Sequence, residues 1–265
     1  MKDQAICAAR AAWYGLTEPV GVRVGRVVWN SHHHLAPPLV QVYIPSFNRV
    51  DLLLSRALPS ALNQTYPYFT IIVAAHGCTD GTRAAVEALG QRTVRVLDVP
   101  RRRTYPPTAL NHWLAGPVAP ANAALRHCLG DWIARLDDDD EWVPDHLDKL
   151  VGFALAHDYE FVSSAHNTPT GKAWPYIVNG IRIGGVQTWV YRHYLRFMRF
   201  NSDCWRKTVD RPNDIDLQSR FVRAGVRMGY LDEVTCHVSP RPGETQIGSK
   251  AYLADTESTE RRFAF

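Results

Sequence analysis

No stretch of this sequence stays apolar for the ~18 residues that a membrane-crossing helix needs, and its opening lacks the basic-then-apolar pattern of a secretory leader. Cysteine is sparse: Cys7, Cys78, Cys128, Cys204 and Cys236 are odd in number, scattered, and never spaced C-x-x-C. That argues against a disulfide framework and leads us to expect reduced thiols in a cytoplasmic protein with no integral membrane segment. Internal repeats and low-complexity tracts are also missing, so a repeat architecture is not expected. Neither sign of charge dominates. The net charge of +4 permits an anionic partner without requiring one.

What is present is the composition of a soluble globular enzyme. The 265 residues are 46% hydrophobic and 21% charged, enough for one large domain or two small ones. A core of ordinary size follows, with no need of a disulfide or structural metal to support it.

Residues 1–38 read as an N-terminal extension. Residues 5–16 suit a short helix, and residues 21–29 alternate Val22, Val24 and Val27 in a strand-like way. His32, His33 and His34 follow. Three adjacent histidines cannot all face one ion on a strand, so a loop is favoured there over a metal site. From residue 39 the pattern becomes regular. Residues 39–44, 69–75 and 94–99 are apolar strand runs, separated by helical periodicity over 52–64 (with Pro59 expected to kink or divide it) and 82–89. Strands alternating with helices imply parallel βαβ units. A Pro-rich connection spans 101–120, a short helix 122–129, a helix opened by Pro144 covers 145–157, and a strand covers 159–164. Asn179-Gly180 between apolar runs signals a hairpin. Residues 214–224 are an amphipathic helix stopping at Gly225, and 228–238 form a last strand. The polar tail, residues 241–265, is expected to be mobile and to fold over a site as a lid.

The chain is organised around Asp137-Asp138-Asp139-Asp140-Glu141, five acids directly after the apolar run Trp132-Ile133-Ala134-Arg135-Leu136. Such a cluster repels itself unless solvent or a cation compensates. A strand that runs into it delivers the carboxylates to its C-terminal end, where open α/β sheets bind ligands. The competing reading is a solvated acidic turn capping the next helix.

Several pieces together resemble the family-2 glycosyltransferases of the GT-A fold. They are Val42-Tyr43-Ile44-Pro45-Ser46-Phe47-Asn48-Arg49, then Leu62-Asn63-Gln64-Thr65-Tyr66-Pro67, then Ile71-Ile72-Val73 with Gly77-Cys78-Thr79-Asp80-Gly81-Thr82, then Asn122 and Gly130 to Pro144 around the DXD motif. The resemblance covers residues 39–240. It implies an α/β GT-A domain, with a Rossmann-like, mostly parallel sheet flanked by helices and a small antiparallel acceptor-side hairpin. It also implies a metal-dependent inverting transfer of a sugar from a nucleotide-diphosphate donor to an acceptor hydroxyl. A saccharide or glycolipid acceptor is favoured, and a nucleic-acid acceptor, a non-catalytic nucleotide-sugar-binding module and a metal-dependent phosphohydrolase are the alternatives.

Carried onto this chain, the resemblance places Pro45, Phe47, Asn48, Arg49, His76, Arg103, Asn122, Asp137 and Asp138 on the donor side. Mn2+ or Mg2+ would sit on Asp139, with His237 as a further contact, and Asp214 would be the base. A hard divalent cation held by one or two carboxylates and the phosphates would neutralise the leaving diphosphate. In an extended chain alternate residues share a face, so Asp137 and Asp139 would point together and Asp138 away. Asp140 would orient the acceptor or the metal's waters, with surface charge as the plain alternative for Asp138 and Asp140. Asp214 begins a helix, whose dipole keeps a carboxylate ionised. Asn213 stands where the family usually has Glu. Arg101, Arg102 and Arg103 are candidates to clasp the diphosphate, with a solvated loop as the alternative. Trp142, Trp189 and Tyr191 are candidates for stacking on a sugar or base, with core packing as the competing reading. Ala75-His76 replaces the family's usual acidic pair, which leaves the donor base open.

Overall fold

The computed structural model describes residues 2–30, 37–102 and 104–262. The three adjacent histidines and Arg103 lie outside the described residues. Helix α1 (Lys2–Asn30) comes first and β1 (Val40–Ser46) follows. The next helical stretch runs as α2 (Val50–Leu52), a π-turn over Leu53–Ala57, and α3 (Leu58–Leu62). Pro59 sits in the first turn of α3, where its missing N–H is not needed, so it divides the stretch without breaking it. Then come β2 (Phe69–His76), α4 (Thr82–Ala88) and β3 (Val94–Val99). The Pro-rich connection holds a helix that its prolines hide, α5 (Ala109–Ala115), capped by the Thr108 hydroxyl accepting from the Asn111 N–H.

After α6 (Val118–His127) the chain forms β4 (Trp132–Arg135), β5 (Asp140–Trp142), α7 (His146–Ala156) and β6 (Phe161–Thr168). The short β7 (Gly171–Lys172) precedes the hairpin of β8 (Tyr176–Val178) and β9 (Ile181–Ile183). Its turn residues Asn179 and Gly180 both have positive φ, 48° and 80°, as a tight two-residue hairpin demands. Last come β10 (Val190–Arg192), α8 (Asn213–Arg223), β11 (Met228–Val238), α9 (Gly248–Ala254) and α10 (Thr256–Arg262).

Among the described residues one sheet runs in the order β3-β2-β1-β4-β10-β6-β11-β5, with β7 added beside β6. Strands β3, β2, β1 and β4 are mutually parallel, as are β6 and β11, while β10 is antiparallel to both of its neighbours. Strand alternation divides the core in two. Val42, Ile44, Ile71, Val73, Trp132 and Ala134 pack on the face covered by α3 and α7, and Tyr43, Ile72, Ala74 and Ile133 on the face covered by α6 and α8.

The N-terminal segment differs from its expected helix-then-strand form: residues 2–30 are a single helix. The local signal for a strand was valine content, and tertiary contacts override it. Gly21 and Gly25, four apart, let α1 approach a 3-10 turn at His193–Phe197, so closely that an added Cβ would stand 2.4 Å from the Phe197 ring and 2.6 Å from that of Tyr194. Glu18 meets Arg220 of α8 and Arg26 meets Glu160 beside β6, at 2.5 Å in each case. The tail likewise forms helices. α9 and α10 lie against α5, with Ala251 buried and the Glu260 carboxylate accepting from the Ala109 N–H.

One glycine allows a sharp test of the packing. A Cβ on Gly184, in the loop after β9, would lie 2.0 Å from the Ser164 backbone oxygen. Backbone in a sheet cannot step aside as a side-chain tip can. Gly184→Ala should therefore lower the thermal midpoint by roughly 3–10 °C, the overpacking range, as read by calorimetry.

Candidate active site

Strand β4 ends at Arg135 in the middle of the sheet, and a turn over residues 137–139 then leads into β5. This geometry sets the acidic cluster at the C-terminal edge of the parallel strands. Because the extended conformation stops at Arg135, the alternation expected for the acids does not hold: Asp137, Asp138, Asp139 and Asp140 all line one cleft of about 310 Å3. The surface-charge alternative for Asp138 and Asp140 fails for the same reason, since both are buried.

Three arginines balance these carboxylates. Arg135 is buried beneath the turn and donates from Nε to Asp137 Oδ1 at 2.9 Å. Arg49, from the loop after β1, donates to Asp138 Oδ1 at 2.9 Å and to Asp139 Oδ2 at 3.3 Å. Its other nitrogen donates to the Tyr252 hydroxyl of α9 at 3.1 Å. Arg241, just beyond β11, stands 3.8 Å from Asp139 Oδ2 and pairs with Glu244 at 2.7 Å. Burial still dominates for two acids. It pushes Asp138 up to about 6 against the pull of Arg49, and, with the three neighbouring carboxylates, pushes Asp140 well above the ordinary range.

Asp214 enters the same cleft from the first turn of α8. Burial raises its carboxyl, while the N–H groups of the helix start and the Arg135 guanidinium pull it back down. Asn213 anchors this turn by donating to the Leu114 carbonyl at 2.8 Å. Tyr176 of the β8–β9 hairpin lines the cleft near Asp214, whose charge adds to burial in raising the phenol.

Pro45, Phe47 and His76 line the cleft as well. The His76 ring is 6.2 Å from that of Phe47, and the Arg101 guanidinium lies over Phe47 at 4.8 Å. Burial, reinforced by Arg101, lowers His76 to about 4, so the ring is neutral and presents a buried Nε2.

The model of the family described as "Glycosyl transferase family 2" matches residues 41–211. The chain belongs to glycosyltransferase family 2. A curated relative, the putative colanic acid biosynthesis glycosyl transferase WcaA of Escherichia coli, is 34% identical over 80% of this chain and 76% of its own length. A second from Escherichia coli, UDP-Glc:alpha-D-GlcNAc-diphosphoundecaprenol beta-1,3-glucosyltransferase WfgD, is 27% identical over 47% of this chain and 44% of its own. Among solved structures, S. aureus TarS with UDP-GlcNAc aligns with a TM-score of 0.58 at 18% identity, covering 78% of this chain and 60% of that one. The mannosyltransferase PcManGT from Pyrobaculum calidifontis, in complex with GDP-Man and Mn2+, aligns at 0.57 and 22% identity over 91% and 70%. The fold is the GT-A α/β fold, with its mostly parallel sheet and small antiparallel hairpin.

Against that family background, several expected glycosyltransferase positions stand outside the cleft. Asn122 is occupied at both ends of its amide, donating to the Phe200 carbonyl and accepting from the Phe200 N–H, each at 2.9 Å. It braces α6 and does not line the cleft. Asn48, at φ 48°, accepts from the Thr79 N–H at 2.7 Å and so ties the loops after β1 and β2 together behind Phe47. His237 is exposed and lies opposite Glu141 in the β5–β11 ladder, while Val238 and Ser239 reach the cleft in its place. Trp142, Trp189 and Tyr191 are core residues, with the two indole N–H groups donating to the Gln187 and Gly184 carbonyls.

Other residues enter the cleft without having been expected there. Arg135 could have been found by strand period alone, two residues before Asp137. His166, at the end of β6, faces the cleft, and burial lowers its imidazole. Arg241, Glu244 and Tyr252 come from the tail, which was expected as a whole to fold over a site, with no local signal for which of its residues would reach it. Among the described residues no group of three or more His, Cys, Asp or Glu side chains is placed to hold a metal by itself.

Proposed function

We propose that this chain is a cytoplasmic inverting glycosyltransferase that moves a sugar from a nucleotide-diphosphate donor to a hydroxyl of a lipid-linked or polysaccharide acceptor. The observation that supports it best is the convergence of the Asp137–Asp140 turn and Asp214 on one cleft. The WfgD relative, whose printed name specifies a diphosphoundecaprenol acceptor, supports the lipid-linked class.

In this reading Asp214 accepts the proton of the attacking acceptor hydroxyl as the new glycosidic bond forms. A carboxyl raised by burial above the ordinary carboxylate range is a stronger base once ionised, which suits that task. Inversion is carried over from the family resemblance: the acceptor oxygen displaces the diphosphate directly, with Asp214 as the only residue given a proton-accepting role. Arg49 and Arg241 carry charge complementary to the departing diphosphate. Pro45, Phe47 and neutral His76 form the wall that takes the base, and Asp137 the ribose. The α5 and β8–β9 residues Trp113 and Tyr176, across the cleft, meet the acceptor.

The donor set fits a hard divalent cation. Asp139 offers a partly exposed carboxylate at the cleft floor, and Mg2+ or Mn2+ binds with one or two carboxylates when substrate phosphates and waters complete its shell. Bound there, the ion would supply neutralisation of the diphosphate charge.

Thermal stabilisation by nucleoside diphosphates and nucleotide sugars, with and without Mn2+, tests the donor site. A ligand at a hundredfold excess over its Kd adds about 2.7 kcal/mol to the folded state. The expected result is a metal-dependent shift with one base, abolished by Asp139→Ala. No shift with any nucleotide in the presence of metal would sink the reading.

A further inference from the structure

Helix α1 buries one side and leaves an apolar face on the other. Trp13, Leu16, Val20, Val24 and Val27 recur three or four residues apart, on one side of the helix, and each is more than half exposed. A single charge, Arg23, falls on that arc. Of the two acids of the helix, Glu18 turns inward to Arg220, and Asp3, half exposed near the helix start, pairs with Arg206. The apolar surface continues sideways into a groove beside the His193–Phe197 turn, lined by Val24, Val28 and Tyr194. Contiguous exposed apolar surface of this kind marks a docking site.

Charge says what docks. Arg196 and Arg199, in and just after the turn that receives α1, crowd Arg126, and the mutual repulsion adds to burial in lowering Arg199. None of the three pairs with a carboxylate among the described residues. On the other flank Arg223 of α8 is exposed and close enough to Glu18 to act on its charge. An apolar stripe rimmed by unneutralised arginines complements an anionic lipid surface, where the stripe enters the acyl boundary and the rim meets the headgroups. A second copy of the chain would instead bring Arg23 and like-charged rims together. No helix among the described residues is long and apolar enough to cross a membrane.

We propose that the outer face of α1, with its arginine rim, seats this enzyme flat on an anionic bilayer surface. The inference stands on α1 and the arginines beside it and does not depend on the chemistry of the cleft.

Co-sedimentation tests it, using phosphatidylcholine vesicles with and without about one third phosphatidylglycerol. The chain should pellet with the anionic vesicles, stay in solution with the neutral ones, and be released by salt. Leu16→Glu with Val20→Glu, at exposed positions that leave the fold intact by circular dichroism, should lower vesicle partitioning about tenfold or more. Arg196→Glu with Arg199→Glu should remove the preference for anionic lipid. Three outcomes would overturn the proposal. They are no association with anionic vesicles, association untouched by the α1 double variant, or a dimer in solution that the same variant dissociates, which would make a second copy the occupant.

Discussion

Replacing Asp214 by Asn is expected to cut kcat by about a thousandfold while leaving the affinity for the donor nearly unchanged. General-base catalysis is worth about 10²–10⁴ in rate, and the amide keeps the shape of the side chain without its basicity. The residues proposed to take the donor base, Pro45, Phe47 and His76, come from β1 and β2 and the loop after β1 and not from α8, which is why binding should survive. The pH profile adds a second readout. The base works only when ionised, and burial holds the Asp214 carboxyl above the ordinary carboxylate range. Activity should therefore fall as pH drops through a limb that lies higher than that of a free aspartate. Arg135 is one of the groups that hold this value down, so Arg135→Met should move the limb further up. Rapid-quench turnover and kcat/KM measured across the acidic range check both. An Asp214→Asn enzyme with a tenth or more of the normal kcat would remove Asp214 from the base role.

Glu18→Ala is expected to be the most damaging single change far from the cleft. Arg220 is 1% exposed and its guanidinium is shared between Glu18 at 2.5 Å and Asp216 at 3.0 Å, with the Arg199 carbonyl accepting at 2.8 Å and the Tyr14 ring 3.9 Å away. Removing one partner of a buried pair leaves a charge without its compensation and costs about 3–5 kcal/mol. Asp216 remains, which argues for the lower end, about 3 kcal/mol, or a fall of roughly 6–12 °C in Tm. Glu18→Gln, which keeps a hydrogen-bond acceptor, should fall between. Urea denaturation of the three proteins measures the difference, and equal midpoints would show that α1 contributes nothing to the stability of the rest.

The strands were legible because burial imposes continuous apolar runs on them. Val40 to Ile44, with Gln41 the one polar residue, and Ile71 to Ala75 are almost wholly buried, none more than 4% exposed. That the acidic turn and Asp214 would meet in one cleft was legible from the family resemblance, which places such residues at the ends of these elements. Helix α1 was not, since what makes residues 21–29 helical is the fit of Gly21 and Gly25 to Phe197 and Tyr194, contacts about 170 residues distant in sequence. Arg241, Glu244 and Tyr252 were hidden for the same reason: only the path of β11 returns the tail to the acidic turn. Asn122 shows the converse. The family resemblance suggested a donor-side contact, and the structure uses both ends of its amide on the Phe200 backbone.

The ion pair between Glu18 and Arg220 also bears on where this molecule begins and ends as a cooperative unit. The segment shared with the family stops at residue 211, two positions before α8 starts and well after α1 has finished. Trimming to that segment would discard the helix that carries Asp214 at its first turn and, at its other end, the arginine that fastens it to the N-terminal helix. The family segment is thus smaller than the set of elements that these ion pairs join. A protease that nicks α1 is therefore expected to lower activity through α8, although no residue of α1 lines the cleft.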